Sequence, residues 1–136
     1  MIAQSSPRLS ETLRVPWGWL LEEARPHVRE GVDPWVLYRI DLAGGRLDDR
    51  LPIGPAIYAA VGHGDVQYVG KTNRGMSARL TEHAHAGRRA SNYTKLTSWK
   101  GVLVVPLIAG ISGVALSRLE IAARDYLRPR TGSKWG

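Results

Sequence analysis

The chain contains no cysteine among its 136 residues. It therefore cannot form disulfides or thiolate metal sites. It also lacks an apolar run long enough to cross a bilayer, since residues 101–110 are interrupted by Pro106 and fall well short of about 20 residues. Residues 1–14 show no long apolar stretch of the kind found in signal peptides. We expect a soluble cytoplasmic protein with no membrane partner.

Acidic residues are scarce in the C-terminal part of the chain. Residues 1–50 hold seven arginines against eight acids, whereas residues 51–136 hold twelve basic residues against four acids. The formal charge of +7 therefore arises entirely after residue 50. A polyanionic partner is the simplest reason for such a concentration, and solubility alone is the plainer alternative. The length suits a single domain.

The first fifty residues predict a helix and a strand. Pro16 can begin the helix, and Pro26 should end or kink it. Its apolar stripe consists of Trp17, Leu20, Leu21 and Ala24. Residues 35–42 alternate as a strand does, and the turn-rich residues 43–55 predict a loop. We place a boundary at residue 50, between an N-terminal extension (1–50) and a compact unit (51–136). The tryptophans of the extension either cap the core or form a homodimer or partner-protein interface.

A hairpin opens the compact unit. Residues 56–61 and 65–70 read as strands around the three-residue loop 62–64. With the turn centred on this loop, Tyr58 lies directly opposite Tyr68 on one face of the hairpin.

The remaining segments predict a helix, a strand and a second helix. Residues 77–86 form the first helix, and residues 101–108 form a buried strand in which Pro106 indicates a nearby sheet edge. Ser112 can cap the last helix, which Arg128-Pro129 ends. The expected fold class is α+β: a small, mainly antiparallel three-stranded sheet flanked by helices, with the N-terminal helix and strand as an extension.

Five side chains in this unit can carry chemistry. Tyr58 and Tyr68 form either a plain cross-strand aromatic pair or a reactive pair of phenols. Arg79 and His83 lie one helical turn apart, so they either share a solvated face or bring a phosphate ligand beside a proton acceptor. Glu120 falls on the apolar face of the last helix, where a carboxylate is costly unless it is ion-paired or bound to metal.

In order and spacing, these segments resemble the GIY-YIG nuclease family. Ala56-Ile57-Tyr58, followed by Tyr68-Val69-Gly70-Lys71-Thr72, looks like the paired strand motif that names the family. The helix from Arg79 to His83 looks like the one that follows this motif, and residues 119–129 look like the final helix. The resemblance spans residues 56–129 and implies cleavage of nucleic acid.

The resemblance also implies a role for each matching residue. Tyr58 would be the general base or a proton relay toward the attacking water. Tyr68 would touch that water or the scissile phosphate, and Arg79 would stabilise the pentavalent phosphate. His83 and Lys71 would help to deprotonate or orient Tyr58.

By the same resemblance, Glu120 would hold one divalent cation, Mg²⁺ or Mn²⁺. The small number of carboxylates after residue 50 also favours one metal ion over two. A phenol with an ordinary pKa of about 10 is a poor base at neutral pH. Lys71, Arg79 and a bound cation are expected to favour the phenolate of Tyr58.

Residues 71–100 hold seven basic side chains against one acid, Glu82. Such a segment is suited to phosphate contact, with double-stranded DNA as the expected partner. Trp99 is expected to pack in the core. The residues expected to bind nucleic acid, besides the catalytic set, are Arg74, Arg88, Arg89, Lys95 and Lys100.

Three features depart from the family pattern. Arg79 lies eleven residues past Tyr68, about one more than is usual in the family. Ala56 stands where the first motif usually has glycine, and residues 130–136 contain no asparagine after Pro129. A second interpretation therefore stays open: a catalytically impaired nucleic-acid-binding module of the same fold.

Overall fold

The computed structural model describes residues 9–89 and 97–130. Its helices are α1 (Glu11–Ala24), α2 (Met76–Arg89) and α3 (Gly113–Leu127), with a 3-10 turn at Arg25–His27. Its strands are β1 (Leu37–Asp41), β2 (Arg46–Leu47), β3 (Ala56–Gly62), β4 (Asp65–Thr72) and β5 (Gly101–Pro106). The α+β class is as predicted.

All five strands belong to one antiparallel sheet in the order β2-β1-β5-β3-β4. The prediction of three strands is therefore wrong: β5, β3 and β4 form the predicted part, and β1 and β2 extend it. β1 pairs with β5 from Leu37 opposite Leu103 to Arg39 opposite Gly101. Without β1, the buried strand β5 would leave backbone donors and acceptors unpaired along one side. The segment before residue 50 thus continues the sheet of the segment after it.

The hairpin of β3 and β4 has a different register from the predicted one. Its turn has two residues, His63 and Gly64, because Gly62 pairs with Asp65. Both turn residues have positive φ, 55° and 81°, as a type I′ turn requires.

A β-bulge then shifts the pairing of the two tyrosines. Ala60 pairs with Tyr68 but Val61 pairs with Val66, so Gln67 is an extra residue on β4. Tyr58 is consequently opposite Gly70 and diagonal to Tyr68, although both phenols keep the same face.

Pro106 lies at the end of β5, the middle strand of the sheet, so the predicted edge position is wrong. Leu107 donates its N–H to Pro55 on the β3 side, so the nitrogen of Pro106 faces the β1 side. Pairing with β1 has already stopped at Leu103, and no ladder bond is lost there.

The helices cover opposite faces of the sheet. On the first face, α1 and α3 bury Trp17, Leu20, Leu116 and Leu119 against an aliphatic layer from the strands. On the second face, α2 buries Met76, Leu80 and Ala84 against a layer that contains both tyrosines; Trp99 is buried there as well. Trp17 and Trp99 are therefore core residues, whereas Trp19 is half exposed and stacks on Tyr126.

The helix ends differ from the predictions at the start of α1 and at the end of α2, which continues to Arg89 instead of ending at residue 86. Helix α1 begins at Glu11, and Pro16 lies inside it, because Leu13 extends the apolar stripe one turn before Trp17. Ser112 caps α3 by accepting a hydrogen bond from Ala115 N–H, and Arg128 ends it in a left-handed conformation. Within residues 9–89 and 97–130, no helix is long and apolar enough to cross a membrane.

Candidate functional site

Gly70 makes room for the first tyrosine. Tyr58 is fully buried on β3, and its ring extends over the neighbouring strand β4 at Gly70. A Cβ at position 70 would lie 2.5 Å from Tyr58 Oη and 2.9 Å from Tyr68 Cε2, both impossibly close. The glycine therefore lets one phenol lie across the edge strand beside the other, with ring centroids 6.1 Å apart.

A fixed turn places α2 over the phenols. Thr72 Oγ1 accepts hydrogen bonds from the backbone N–H groups of Arg74 and Gly75, and Gly75 takes a φ of 119° that a side chain would strain. The helix starts directly after this turn, so that residues one and two turns later face the sheet.

Two of those helix residues meet at the Tyr58 hydroxyl. Arg79 Nε donates to Tyr58 Oη at 3.2 Å, and His83 Nε2 lies 2.7 Å from the same oxygen. Because arginine is only a donor, the phenol can pass its own proton to the imidazole if that nitrogen is unprotonated. The sequence-predicted set of Tyr58, Tyr68, Arg79 and His83 is thus brought into one cluster.

Aromatic rings wall off the inner side of this cluster. The imidazole of His83 lies edge-on to Tyr68 and to Trp99, with centroid distances of 5.0 Å in each case. Trp99 is buried, which confirms that it is a core residue. These rings exclude water from the inner side of the Tyr58–His83 contact. Hydrogen bonds are stronger where water is excluded.

Burial has the largest effect on the pKa of both phenols. It raises the pKa of Tyr58 above the ordinary 10.0, Tyr68 adds to the rise, and the charge of Arg79 opposes it. Burial likewise raises the pKa of Tyr68, with Arg79 opposing and Glu120 adding to the rise. The charge of Arg79 thus favours the phenolate of Tyr58, as expected, but burial has the larger effect, and the net pKa of Tyr58 is raised.

Glu120 is buried on α3 and ion-paired, as its place on an apolar face demands. Its Oε2 accepts from Arg124 Nη2 at 3.2 Å, and its Oε1 faces Lys71 Nζ at 3.7 Å. Lys71 Nζ also donates to Ser117 Oγ at 2.9 Å. The ion-pair partners of Glu120 are thus Lys71 and Arg124.

The glutamate group and the tyrosine group approach the edge strand from opposite faces. Lys71 shares the face of β4 that packs on α3, whereas Tyr68 belongs to the face under α2. The carboxylate of Glu120 nevertheless acts on the pKa of Tyr68, so that the two groups are electrostatically coupled at this edge. The expected action of Lys71 on Tyr58 remains a prediction, since the described contacts of Lys71 are with α3.

In the part of the chain that the structure describes, Glu120 is not part of a cluster of metal-binding side chains. Among the described residues, no three His, Cys, Asp or Glu side chains cluster to hold an ion. Oε1 is the more available oxygen, because the Lys71 ammonium at 3.7 Å is beyond hydrogen-bond distance. One carboxylate fits Mg²⁺ if water and substrate phosphate oxygens complete the octahedral shell.

Arg74 and Lys100, two of the residues predicted to bind nucleic acid, lie at different distances from the tyrosine cluster. Arg74 lies beside the cluster and pairs with Glu82. Lys100 is exposed but precedes β5 at the hairpin end of the sheet, four residues before Val104, the partner of Tyr58, and therefore roughly 14 Å from Tyr58 along the strand direction. The side chains of Arg88 and Arg89, and all of Lys95, lie outside the described part of the structure.

Four residues of the site were not identified as such from the sequence. Arg124 follows Glu120 by four residues and Glu82 follows Arg79 by three, so helical spacing contained the signal for both. Gly70 was named only as part of the second strand motif, which gives no signal that it makes room for the ring of Tyr58. Ser117 had no local signal, because its partner Lys71 is 46 residues away in the sequence.

No protein-family model, curated protein or solved structure matches the chain in comparisons with known proteins.

Proposed function

We propose that this protein is an endonuclease that hydrolyses DNA phosphodiester bonds with one divalent cation, Mg²⁺ or Mn²⁺, in the manner of the GIY-YIG nucleases. The observation that carries the proposal is the convergence of Arg79 Nε and His83 Nε2 on Tyr58 Oη. A solvent-accessible phosphate-binding guanidinium and a buried proton acceptor thereby share one phenol. The basic charge after residue 50 supports a polyanionic substrate.

The protonated phenol suits a relay better than a free phenolate base. Tyr58 is fully buried in the free protein, so the attacking water reaches Oη only after Arg79 turns toward the phosphate. As that water attacks phosphorus, its proton passes to Tyr58 Oη while the phenolic proton passes to His83 Nε2. Neither step creates a buried phenolate, which burial disfavours. The relay needs His83 to be neutral with its proton on Nδ1, a tautomer consistent with the 2.7 Å contact.

Arg79 and Glu120 supply the charge stabilisation in this proposal. The guanidinium of Arg79 is only partly buried and neutralises negative charge that develops on the phosphate. Glu120 Oε1 would hold the cation, which supplies Lewis-acid stabilisation to the phosphate and leaving oxygens when bound. Lys71 would then turn from Glu120 toward the substrate backbone, because its side chain is 40% exposed.

A plasmid assay tests the proposal. Supercoiled DNA with Mg²⁺ should be nicked by the wild type, and Tyr58→Phe and Glu120→Gln should each lower the rate by about 10² to 10⁴. Asp125→Asn is the matched control, because it removes one exposed carboxylate of the same helix. The proposal is wrong if wild-type nicking on supercoiled, linear and single-stranded DNA does not exceed that of Glu120→Gln.

One observation favours the alternative of a nucleic-acid-binding module without catalysis. The two cations beside Glu120 already balance its charge, so the carboxylate needs no metal for its burial. Steep salt dependence of binding is expected for both functions and does not separate them. A Mg²⁺-dependent chemical-shift change at Glu120 that Glu120→Gln abolishes would count against the alternative.

A further inference from the structure

Glu82 lies between two arginines at the open side of the tyrosine cluster. Its Oε1 accepts from Arg79 Nη1 at 3.3 Å, and its Oε2 is in close contact with Arg74 Nη2. The spacing of three residues along α2 sets the first contact. The Thr72 turn, whose hydroxyl holds the backbone of Arg74, sets the second.

Arg79 thus has two different neighbours on two edges of one guanidinium. Its Nε donates to the buried hydroxyl of Tyr58 at 3.2 Å, and its Nη1 donates to the exposed carboxylate of Glu82. A phosphate presents the same paired acceptor oxygens as a carboxylate and binds the same guanidinium donors. A phosphate that reaches Arg79 from solvent must therefore compete with Glu82.

Fold stability is a weak explanation for this arrangement. The side chains of Arg74 and Glu82 are 67% and 44% exposed, and exposed ion pairs contribute about 0 to 1 kcal/mol. Glu82 aligns the two guanidiniums of Arg74 and Arg79 beside Tyr58, the proposed proton relay. Binding of an anion from solution explains this arrangement better.

We propose that Glu82 occupies the place of a substrate phosphate, and that a backbone phosphate of the nucleic acid displaces it from Arg74 and Arg79. This inference rests on the proposed function and deepens it. Arg74 becomes a second phosphate ligand beside Arg79. Glu82 is a positioning residue that keeps both guanidiniums aligned in the free protein and lowers the affinity for phosphate.

The consequence is measurable in binding. Glu82→Gln keeps the size of the side chain and removes the competing charge, so the Kd for duplex DNA should fall about threefold to tenfold at 50 mM salt. When DNA displaces Glu82 in the wild type, the released carboxylate takes up a cation from solution. DNA binding by the wild type therefore releases about one counterion fewer than binding by the variant. The slope of log K against log salt should therefore be steeper by about one in the variant.

Asp65→Asn is the matched control. Asp65 pairs with Arg130 Nη1 at 2.9 Å and is 53% exposed, so the control removes the same charge from a comparable ion pair at the hairpin turn. It should change the Kd by less than about twofold. In an Arg74→Ala background, the gain from Glu82→Gln should shrink to about twofold or less, because one of the two competing guanidiniums is gone.

Binding is measured with a fluorescently labelled duplex in EDTA, where no cleavage occurs, and inorganic phosphate is titrated against the Arg79 Nε–H signal by NMR. Equal affinities and salt slopes for Glu82→Gln and Asp65→Asn would overturn the inference. So would an Arg79 signal that responds to phosphate equally in wild type and Glu82→Gln, or in neither. If both readouts behave as expected but Mg²⁺ produces no cleavage, the proposed endonuclease activity fails and the phosphate site stands.

Discussion

The face of the sheet under α1 and α3 and the face under α2 are both closed to solvent, but they are closed by different side chains. The first is filled by aliphatic residues and Trp17; the partly buried Tyr126 packs against them, and the ion-paired Glu120 is buried on α3. The second carries Tyr58 and Tyr68 in its cluster, and the buried imidazole of His83 lies between them and Trp99. Buried polar groups cost stability unless they are paired, and here each contact of Tyr58 is with a group that can donate or accept a proton. The difference indicates that the aliphatic interior of the first face mainly stabilises the fold, whereas the second face accepts a cost in stability for a buried, hydrogen-bonded phenol and imidazole.

Deleting a side chain from the first face should have the largest effect on stability and none on the reaction. Leu20 is fully buried in α1, and Leu20→Ala should lower the free energy of unfolding by about 2 to 5 kcal/mol. Urea denaturation measures this loss, and single-turnover cleavage, corrected for the folded fraction, should equal that of the wild type. A rate that falls in proportion to stability would break the comparison between the two faces.

A single methyl group on the second face should affect both properties. Gly70→Ala places a Cβ against the Tyr58 hydroxyl, so the ring must move, at a cost of about 1 to 3 kcal/mol. The displaced phenol loses its contacts with Arg79 and His83, and cleavage should fall together with the His83 Nε2 chemical-shift signature of the hydrogen bond.

Gly113→Ala is the control for that substitution, since its Cβ would meet no atom within 4 Å. It should leave the rate unchanged and keep or slightly raise the stability. Retention of the His83 signature in Gly70→Ala would show that the glycine does not position the phenol.

The smallest expected effect is a pH dependence confined to the second face. The pKa of Tyr58 is raised in the folded protein, so the unfolded chain loses this proton first as the pH rises above 10.0. The stabilisation is complete below that pH and is lost above it. Between pH 8 and 10.5, the wild type should lose about 1 kcal/mol more than Tyr58→Phe. Leu20→Ala should lose as much as the wild type; equal losses in all three proteins would place the alkaline titration elsewhere.

Sequence patterns that act over a few residues predicted much of the fold. The stripe of Trp17, Leu20 and Ala24, the alternation of residues 35–42 and the cap at Ser112 all lie within a few residues, where periodicity and capping act directly. Similar reasoning identified Glu120 as a carboxylate in need of a partner. Helical spacing also predicted that Arg79 and His83 share one face of α2, where both contact the Tyr58 hydroxyl.

Strand pairing was less predictable. The alternating pattern of β1 is compatible with pairing to any free edge of a sheet. The sequence around β1 therefore does not indicate that it pairs with β5. A single extra residue, Gln67, moves Tyr58 from a position opposite Tyr68 to one opposite Gly70. A bulge of this kind costs little and has no distinctive sequence signal here, which is why the register could not be derived from the hairpin alone.

By itself, the sequence determined which residues are apolar on each helix and strand, where α3 begins and ends, and that positive charge is concentrated after residue 50. These properties follow from side-chain chemistry and backbone periodicity. Only the tertiary structure decided that burial raises the pKa of Tyr58, that Lys71 and Arg124 pair with Glu120, and that Glu82 lies between Arg74 and Arg79. Each of these depends on burial or on distances between groups brought together by packing, and electrostatic energies change with both.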